Sequence, residues 1–463
     1  MRILLGALLL VLAACVPTAI EPVTTPTEPV ATTSPAITIP VTTTRPEPIP
    51  VEIQDCSSPQ VGFSPLCETY DLAQEWHMDR PIDPSVLAEA ALEGLDGFTT
   101  DSTEAAPRTL ICAIPDPAFT PLCDELANRV SLSSIPVSEA VEAAVTAMAN
   151  TGLEQFSYYV PPELVGSYRS NGVVGGLGVL LDATDAAGSK CVRIAESCPL
   201  EIVFVLDDNP GAEAGLEPGD EIVAIDGELI DGEGFVDTAT RIAGDETGPV
   251  EISVEREDET IDFTIEREPL VVPTVEIDVP EPGVGYISIP DFESDIPDLV
   301  RDALNDLIGE PVDRLVVDLR DNPGGFLDSA IDVATEFMTG GVVVQTLGPG
   351  EDLDYEAGDG GVATEPEIAV LVNGGTASAA EILATALRDR RGAVILGEPT
   401  FGKDAVQIAF EMNNGGEFNL AVARWFSPEG ATVAGTGVLP DRVVEFSRDM
   451  TTSELAGLAF EGR

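Results

Sequence analysis

From about residue 269 onward, apolar and polar positions alternate in blocks that predict strands and helices in turn. Val284 to Ile289 reads as a strand and Ile296 to Ile308 as an amphipathic helix. A buried strand is predicted over Arg314 to Leu319 and a helix over Leu327 to Met338. Glu367 to Val372 is an all-but-continuous apolar strand, followed by a helix over Ser378 to Arg388 and a strand over Val394 to Gly397. Gln407 to Phe426 reads as a hairpin turning at Asn413-Asn414-Gly415-Gly416. Far upstream, Val86 to Leu95 and Ser138 to Met148 carry apolar residues at helical spacing. Residues 166 to 268 differ from both: Gly175-Gly176-Leu177-Gly178-Val179 leads into a strand, and Ile202-Val203-Phe204-Val205 is another.

The N-terminus changes the picture. Met1-Arg2 precedes a short apolar run, Ile3 to Ala14, too short to span a bilayer and suited to a secretory signal. It ends Leu12-Ala13-Ala14-Cys15, which resembles a bacterial lipoprotein box; by that resemblance Cys15 carries a lipid and anchors the chain to a membrane. An ordinary signal peptide cut nearby is the alternative. Residues 16 to 54, rich in proline, threonine and valine, read as an extended linker. Six of the seven cysteines remain after Cys15, in local pairs that predict disulfides Cys56–Cys67, Cys112–Cys123 and Cys191–Cys198. The first two loops both end Phe-Ser/Thr-Pro-Leu-Cys, as a small internal repeat. Metal binding is the rival for these cysteines; a single histidine and no C-x-x-C argue against it, so no metal or cofactor is expected. A formal charge of −60 excludes nucleic acid as a partner, because nothing here neutralises phosphates.

Candidate chemistry lies in three phrases. Ser378 sits between a buried strand and a helix, which presents its hydroxyl at a helix N-terminus. Ser378-Ala379-Ala380-Glu381 is also a capping box, so the serine could merely cap the helix. Lys403, one of only two lysines, lies in Thr400-Phe401-Gly402-Lys403-Asp404. The only histidine, His77, is far away, so a serine hydrolase here needs lysine as its base. A buried lysine can lose its proton, whereas arginine cannot. Gly397 to Lys403 also fits a phosphate loop, but Asp404 stands where that motif needs serine or threonine. Asp318-Leu319-Arg320-Asp321-Asn322-Pro323-Gly324-Gly325 ends a strand with two glycines opening the next helix, where amide groups can face an oxyanion.

Asn209-Pro210-Gly211-Ala212-Glu213-Ala214-Gly215-Leu216-Glu217-Pro218-Gly219-Asp220, after the Gly-Leu-Gly phrase, resembles a PDZ domain of the bacterial protease type. By that resemblance Pro210 to Leu216 is its short helix, Asp220 to Ile225 the next strand, and Gly176, Leu177, Gly178 and Val179 form the loop whose amides hold a peptide's terminal carboxylate. A PDZ that only packs and binds no tail stays open. Together with Ser-Ala-x-Glu, Gly-Lys-x-x-Val-Gln and Thr436-Gly437-Val438-Leu439-Pro440-Asp441, the chain resembles the C-terminal processing peptidases, or tail-specific proteases. The resemblance implies Ser378 as nucleophile, Lys403 as general base, Gln407 orienting the lysine, and the amides of Gly324 and Ala379 as the oxyanion hole. Asp404 departs from the family's usual glycine; pointed inward, it would raise the lysine pKa.

The expected architecture is a multidomain α+β protein. It comprises a signal peptide (1–14), a lipobox cysteine and linker (15–54), an N-terminal helical region with two disulfide loops (55–165), a PDZ domain (166–268), an α/β protease core (269–447) and a C-terminal tail (448–463). The expected activity is an extracytoplasmic serine endopeptidase that cuts exported proteins near free C-termini. The alternatives are a PDZ adaptor on a protease fold that no longer cuts, and a protease locked until a tail moves the PDZ.

Overall fold

The computed structural model describes residues 64–461, with breaks at 96–113, 115, 133–136, 155, 163–164, 166–172, 175, 185–193, 206–208, 244–247, 257–258, 269–273, 309–311, 350–351 and 448–449. The signal, Cys15, the linker, Cys56, Cys112 and Cys191 lie outside the described residues.

Four α-helices come first among the described residues: α1 (Ser64–Trp76), α2 (Pro84–Glu93), α3 (Thr120–Leu132) and α4 (Val137–Asn150). The start of α2 is set by Asp83, whose carboxylate accepts the Ser85 N–H, with proline in the first turn. A short strand, β1 (Tyr158–Val160), then runs antiparallel to a strand of the expected protease core at Glu417–Asn419. No sequence period marked this three-residue strand.

Seven strands form one sheet that is the body of the PDZ region. They are β2 (Val173–Val174), β3 (Val179–Ala183), β4 (Leu200–Val205), β5 (Glu221–Ile225), β6 (Glu228–Leu229), β7 (Gly248–Arg256) and β8 (Glu259–Arg267). Helix α5 (Pro210–Ala214) starts at a proline and ends at Gly215, in the left-handed region at φ 92°. Helix α6 (Phe235–Ala243) follows. Leu177, Val179, Leu181, Leu200, Ile202, Ile222, Ile252 and Val254 share the core of this sheet.

The region expected to be the protease core is a six-stranded sheet in the order β18-β15-β14-β11-β10-β9, from β9 (Glu276–Glu281), β10 (Val284–Ser288), β11 (Arg314–Asp318), β14 (Glu367–Val372), β15 (Val394–Gly397) and β18 (Arg442–Val443). Only the β9–β10 pair is antiparallel. The near-continuous apolar runs are explained by cover on both faces. Leu315, Val317, Ile368 and Val370 face α7 (Ile296–Ile308), α8 (Leu327–Phe337) and α9 (Ala379–Arg391). Val316, Ala369 and Leu371 face α10 (Thr452–Ala459) through Leu455, Ala456 and Ala459. Thus part of the expected tail is a capped helix that closes one face of the sheet.

A second, five-stranded sheet joins β1, β17 (Glu417–Phe426), β12 (Val342–Leu347), β13 (Leu353–Glu356) and β16 (Ala405–Glu411). The β16–β17 hairpin spans two cores. Phe410, Met412, Phe418 and Leu420 pack among the N-terminal helices, while Trp425 packs into the protease core. Its turn is pinned by Glu68 of α1, which accepts the Asn413 N–H at 2.8 Å and its side-chain amide at 2.9 Å.

Candidate active site

Strand β14 delivers the chain to a turn over Asn373–Ala377, and α9 leaves from it. This turn is knitted to the one after β11. Thr376 Oγ1 donates to the Leu319 carbonyl (2.7 Å), the Ala377 N–H to the Asn322 carbonyl (2.9 Å), and the Asn373 side chain to Asp321 (2.8 Å). Between them stands Ser378 at φ 52° and ψ −116°, a conformation that favours glycine. An ordinary N-cap residue has extended backbone angles. The Glu381 carboxylate does accept the Ser378 N–H at 2.8 Å, as a capping box requires. In the reciprocal half of the box the Glu381 N–H faces the Ser378 side chain. The strained backbone at this serine is more than a cap requires.

Glu381 is fully buried and serves more than its own helix. Its Oε2 also accepts the Lys403 N–H (2.9 Å), and its Oε1 accepts the Gly402 N–H (2.8 Å) and the Thr400 hydroxyl. One carboxylate therefore fixes both the Ser378 backbone and the turn that carries Lys403. Burial pushes its pKa up, against the four hydrogen bonds that favour the ionised form. Phe401 adds a further tie, its N–H donating to the Thr376 carbonyl at 3.0 Å.

Lys403 is 7% exposed. Burial lowers its pKa from 10.5 to about 8, opposed by the charges of Glu154 and Glu381. Its Nζ lies 5.9 Å from the centre of the Phe156 ring. Gln407, at the start of β16, donates its amide N–H to the Phe156 carbonyl, which leaves the amide oxygen as the end able to accept. Asp404 is turned elsewhere: Arg424 Nη1 is 3.4 Å from its carboxylate. The acidic neighbours of the lysine are thus Glu154 and Glu381, and the concern over Asp404 is displaced onto residues for which the sequence signals no such role. The Glu381 role was masked by its fit to a capping box, and Glu154 sits in no recognisable motif.

The glycine turn departs from expectation in two respects. The N–H of Gly324 donates to Asn322 Oδ1 at 2.9 Å and so does not face the serine in this structure. The asparagine two residues earlier competes for that amide, a local side-chain-to-backbone turn that the two glycines obscured. Gly324 is nevertheless beside the site. At φ 103°, a Cβ there would lie 2.8 Å from Ser378 Cβ and 3.0 Å from the Ala379 nitrogen. Nor do the glycines open the helix directly, since α8 begins at Leu327.

In the PDZ region, Gly176 and Gly178 have φ of 86° and 72°. Leu177 and Val179 are buried in the sheet core, so neither side chain is open to a ligand. The loop is held on α5 by the Gly211 N–H, which donates to the Leu177 carbonyl at 2.8 Å.

Residues 283–444, which contain every one of the protease-core elements just described from β10 to β18, match peptidase family S41, and residues 202–256 match the PDZ domain. A carboxy-terminal-processing protease of Bartonella bacilliformis is 33% identical over 328 residues, which is 68% of this chain and 72% of that protein. The chain belongs to peptidase family S41. A carboxyl-terminal-processing protease of Synechocystis is 32% identical over 315 residues, 66% of this chain and 71% of that protein. Among solved structures, the photosystem II D1 C-terminal processing protease matches with a TM-score of 0.53 and 24% identity, covering 78% of this chain and 93% of that one; it shares the fold. This S41 member is a serine-type peptidase with a PDZ domain, and a PDZ domain on a peptidase implies protein or peptide substrates. Among the described residues, no helix is long and apolar enough to cross a membrane. Cys67, Cys123 and Cys198 are disulfide-bonded, and their nearest cysteines in sequence lie outside the described residues.

Proposed function

We propose that the chain is an exported endopeptidase that trims proteins near their C-termini with a Ser378–Lys403 dyad. The observation that carries this reading is the buried Lys403, its pKa lowered to about 8, tied through Glu381 to the strained Ser378. In this mechanism Ser378 Oγ attacks the scissile carbonyl and its proton passes to Lys403 Nζ. The Ala379 N–H stabilises the oxyanion; the Gly324 N–H can join it only by leaving Asn322. Lys403 then gives its proton to the leaving amine. A water, deprotonated in turn by Lys403, releases the acyl group. Gln407, anchored to Phe156, offers its amide oxygen to the lysine.

The names of the relatives support the choice of C-terminal substrates, and the PDZ backbone loop supports recognition of a free carboxylate. The signal-like N-terminus supports export, with Cys15 as the lipid site and disulfides Cys56–Cys67, Cys112–Cys123 and Cys191–Cys198. The test is a peptide with a free C-terminus, cleaved by wild type and by Lys403→Arg. Arginine keeps the charge and cannot accept a proton, so cleavage should vanish while the fold persists. Cleavage near the wild-type rate by the arginine variant overturns the dyad.

A further inference from the structure

The segment that leads from the N-terminal helices into β1 lies against the base. Phe156 places its ring 5.9 Å from Lys403 Nζ and its carbonyl on the Gln407 amide. What fixes Phe156 is Glu154. One carboxylate oxygen accepts the Phe156 N–H at 2.5 Å, and the other accepts the Ser157 hydroxyl. Ser157 Oγ in turn accepts the Ala421 N–H of β17 at 3.0 Å. The chain's single histidine completes the arrangement. His77 is 2% exposed, its Nδ1 accepts the Asp79 N–H at 3.0 Å, and its Nε2 points toward Glu154 Oε1 at 3.9 Å. Accepting at Nδ1 places the neutral ring's proton on Nε2, toward the carboxylate.

We propose that Glu154 is a positioning residue for the general base: the N-terminal helical region, through this carboxylate, sets both the protonation of Lys403 and the placement of Gln407. The proposal rests on the dyad reading above. The charged groups around Lys403 are Glu154 from the segment before β1 and Glu381 from α9, while Asp404 is engaged by Arg424 and His77 stands behind Glu154. A carboxylate near an ammonium favours the charged form, and the Glu154 charge acts on Lys403 in that direction. Glu154 thus holds back the proton release that burial promotes. Glutamine at this position keeps an oxygen for the Phe156 N–H and loses the charge.

Two readouts test this, measured on the full chain. The first is the pH profile of kcat/KM for a tail peptide. In Glu154→Gln the acid limb should move to lower pH by roughly one unit, the size of shift a nearby charge produces. A purely structural role lowers the rate at every pH and leaves the limb in place. The second is independent of turnover. The chain has only Lys190 and Lys403 as lysines. Acylation of Lys403 by an amine reagent, followed by peptide mass spectrometry across pH, reads its titration directly and should shift likewise. Glu154→Asp, which withdraws the charge by one methylene, should shift both readouts in the same direction by less, and it carries the test if the glutamine variant does not fold. An unmoved limb and an unmoved labelling curve in the folded variants overturn the proposal. If labelling shifts while Lys403→Arg still cleaves, the dyad reading fails and the influence of Glu154 on the lysine stands.

Discussion

Ser378 and Lys403, one at a helix start and the other in an open turn before a hairpin, donate their backbone N–H groups to the same carboxylate oxygen, Oε2 of Glu381, at 2.8 and 2.9 Å. The spacing of the proposed nucleophile and base is therefore held through the backbone. Replacing Glu381 by glutamine leaves two of its four donors facing an amide N–H₂, which cannot accept. We expect Glu381→Gln to lower kcat by roughly a hundredfold or more, since a displacement of about 1 Å at a catalytic group has that effect. KM should change far less, because the proposed tail-binding loop, Gly176–Val179, lies in the PDZ region. A kcat within a few-fold of wild type for a correctly folded variant would show that the shared carboxylate does not set the geometry.

The lysine gives a pH signature. In the proposed dyad only neutral Lys403 accepts the serine proton, and its pKa is lowered to about 8 by burial. Catalysis should therefore be weak at pH 6 and rise through about pH 8. The sign distinguishes this base from a carboxylate, which would already be active well below neutrality. Measurement of kcat/KM between pH 6 and 10 checks it. A profile already flat from pH 6 upward would mean that another group takes the proton.

Asp291 carries a stability prediction. It is buried beside the glycine turn, where its neighbour Phe292 donates its N–H to the Gly324 carbonyl at 2.8 Å. Burial raises its pKa from 3.8 to about 6, although its Oδ1 accepts the Glu293 N–H. In the window between about pH 4 and pH 6 the folded state binds the proton and the unfolded state does not. Stability from this group is thus present at low pH and lost as pH rises through about 6. Asp291→Asn keeps the acceptor and removes the buried charge. It should raise stability at pH 7 by roughly 2–3 kcal/mol, from about 1.4 kcal/mol per pKa unit. Denaturant melts of both proteins at pH 4 and pH 7 should show the difference shrinking at the lower pH. A constant difference would place its origin in packing.

What the sequence disclosed divides along physical lines. The core sheet was legible because strands covered on both faces are written as apolar runs; Val316 and Val317 point to opposite faces and are both fully buried. The Pro210 helix and its Gly215 cap were legible because glycine and proline mark local backbone geometry. Strand β1 was not, since a three-residue strand has no period and exists only by pairing with β17. At the site, Ser378, Lys403 and Gln407 each stood in a phrase with its own local character. Glu154 acts across 249 positions of sequence from Lys403 through tertiary folding alone, and nothing around it announces this. Glu381 was in view but fitted a simpler local role. The bond of the Gly324 amide to Asn322, two residues away, was hidden behind the two glycines.

The choice of substrate tail offers the last test. The Gly176–Val179 loop offers a peptide no side chain, since Leu177 and Val179 are spent in the core. Backbone donors suit a carboxylate and pair less well with an amide, which lacks the charge. A donor left unpaired on binding costs about 1–3 kcal/mol, and each 1.4 kcal/mol is a factor of ten. Amidating the C-terminus of a substrate should therefore lower kcat/KM by roughly tenfold. Gly178 supplies the control. At φ 72°, a Cβ there would lie 2.3 Å from Asn209 Cβ, at the foot of α5. Gly178→Val should distort the loop and leave the active site intact, so that free and amidated peptides are cut at similar rates by that variant. If the PDZ only packs and the cleft itself selects tails, amidation will matter equally in wild type and in Gly178→Val. Equal cleavage of both peptides by the wild-type protein would remove tail recognition from the chain altogether, leaving a serine peptidase whose PDZ serves some other end.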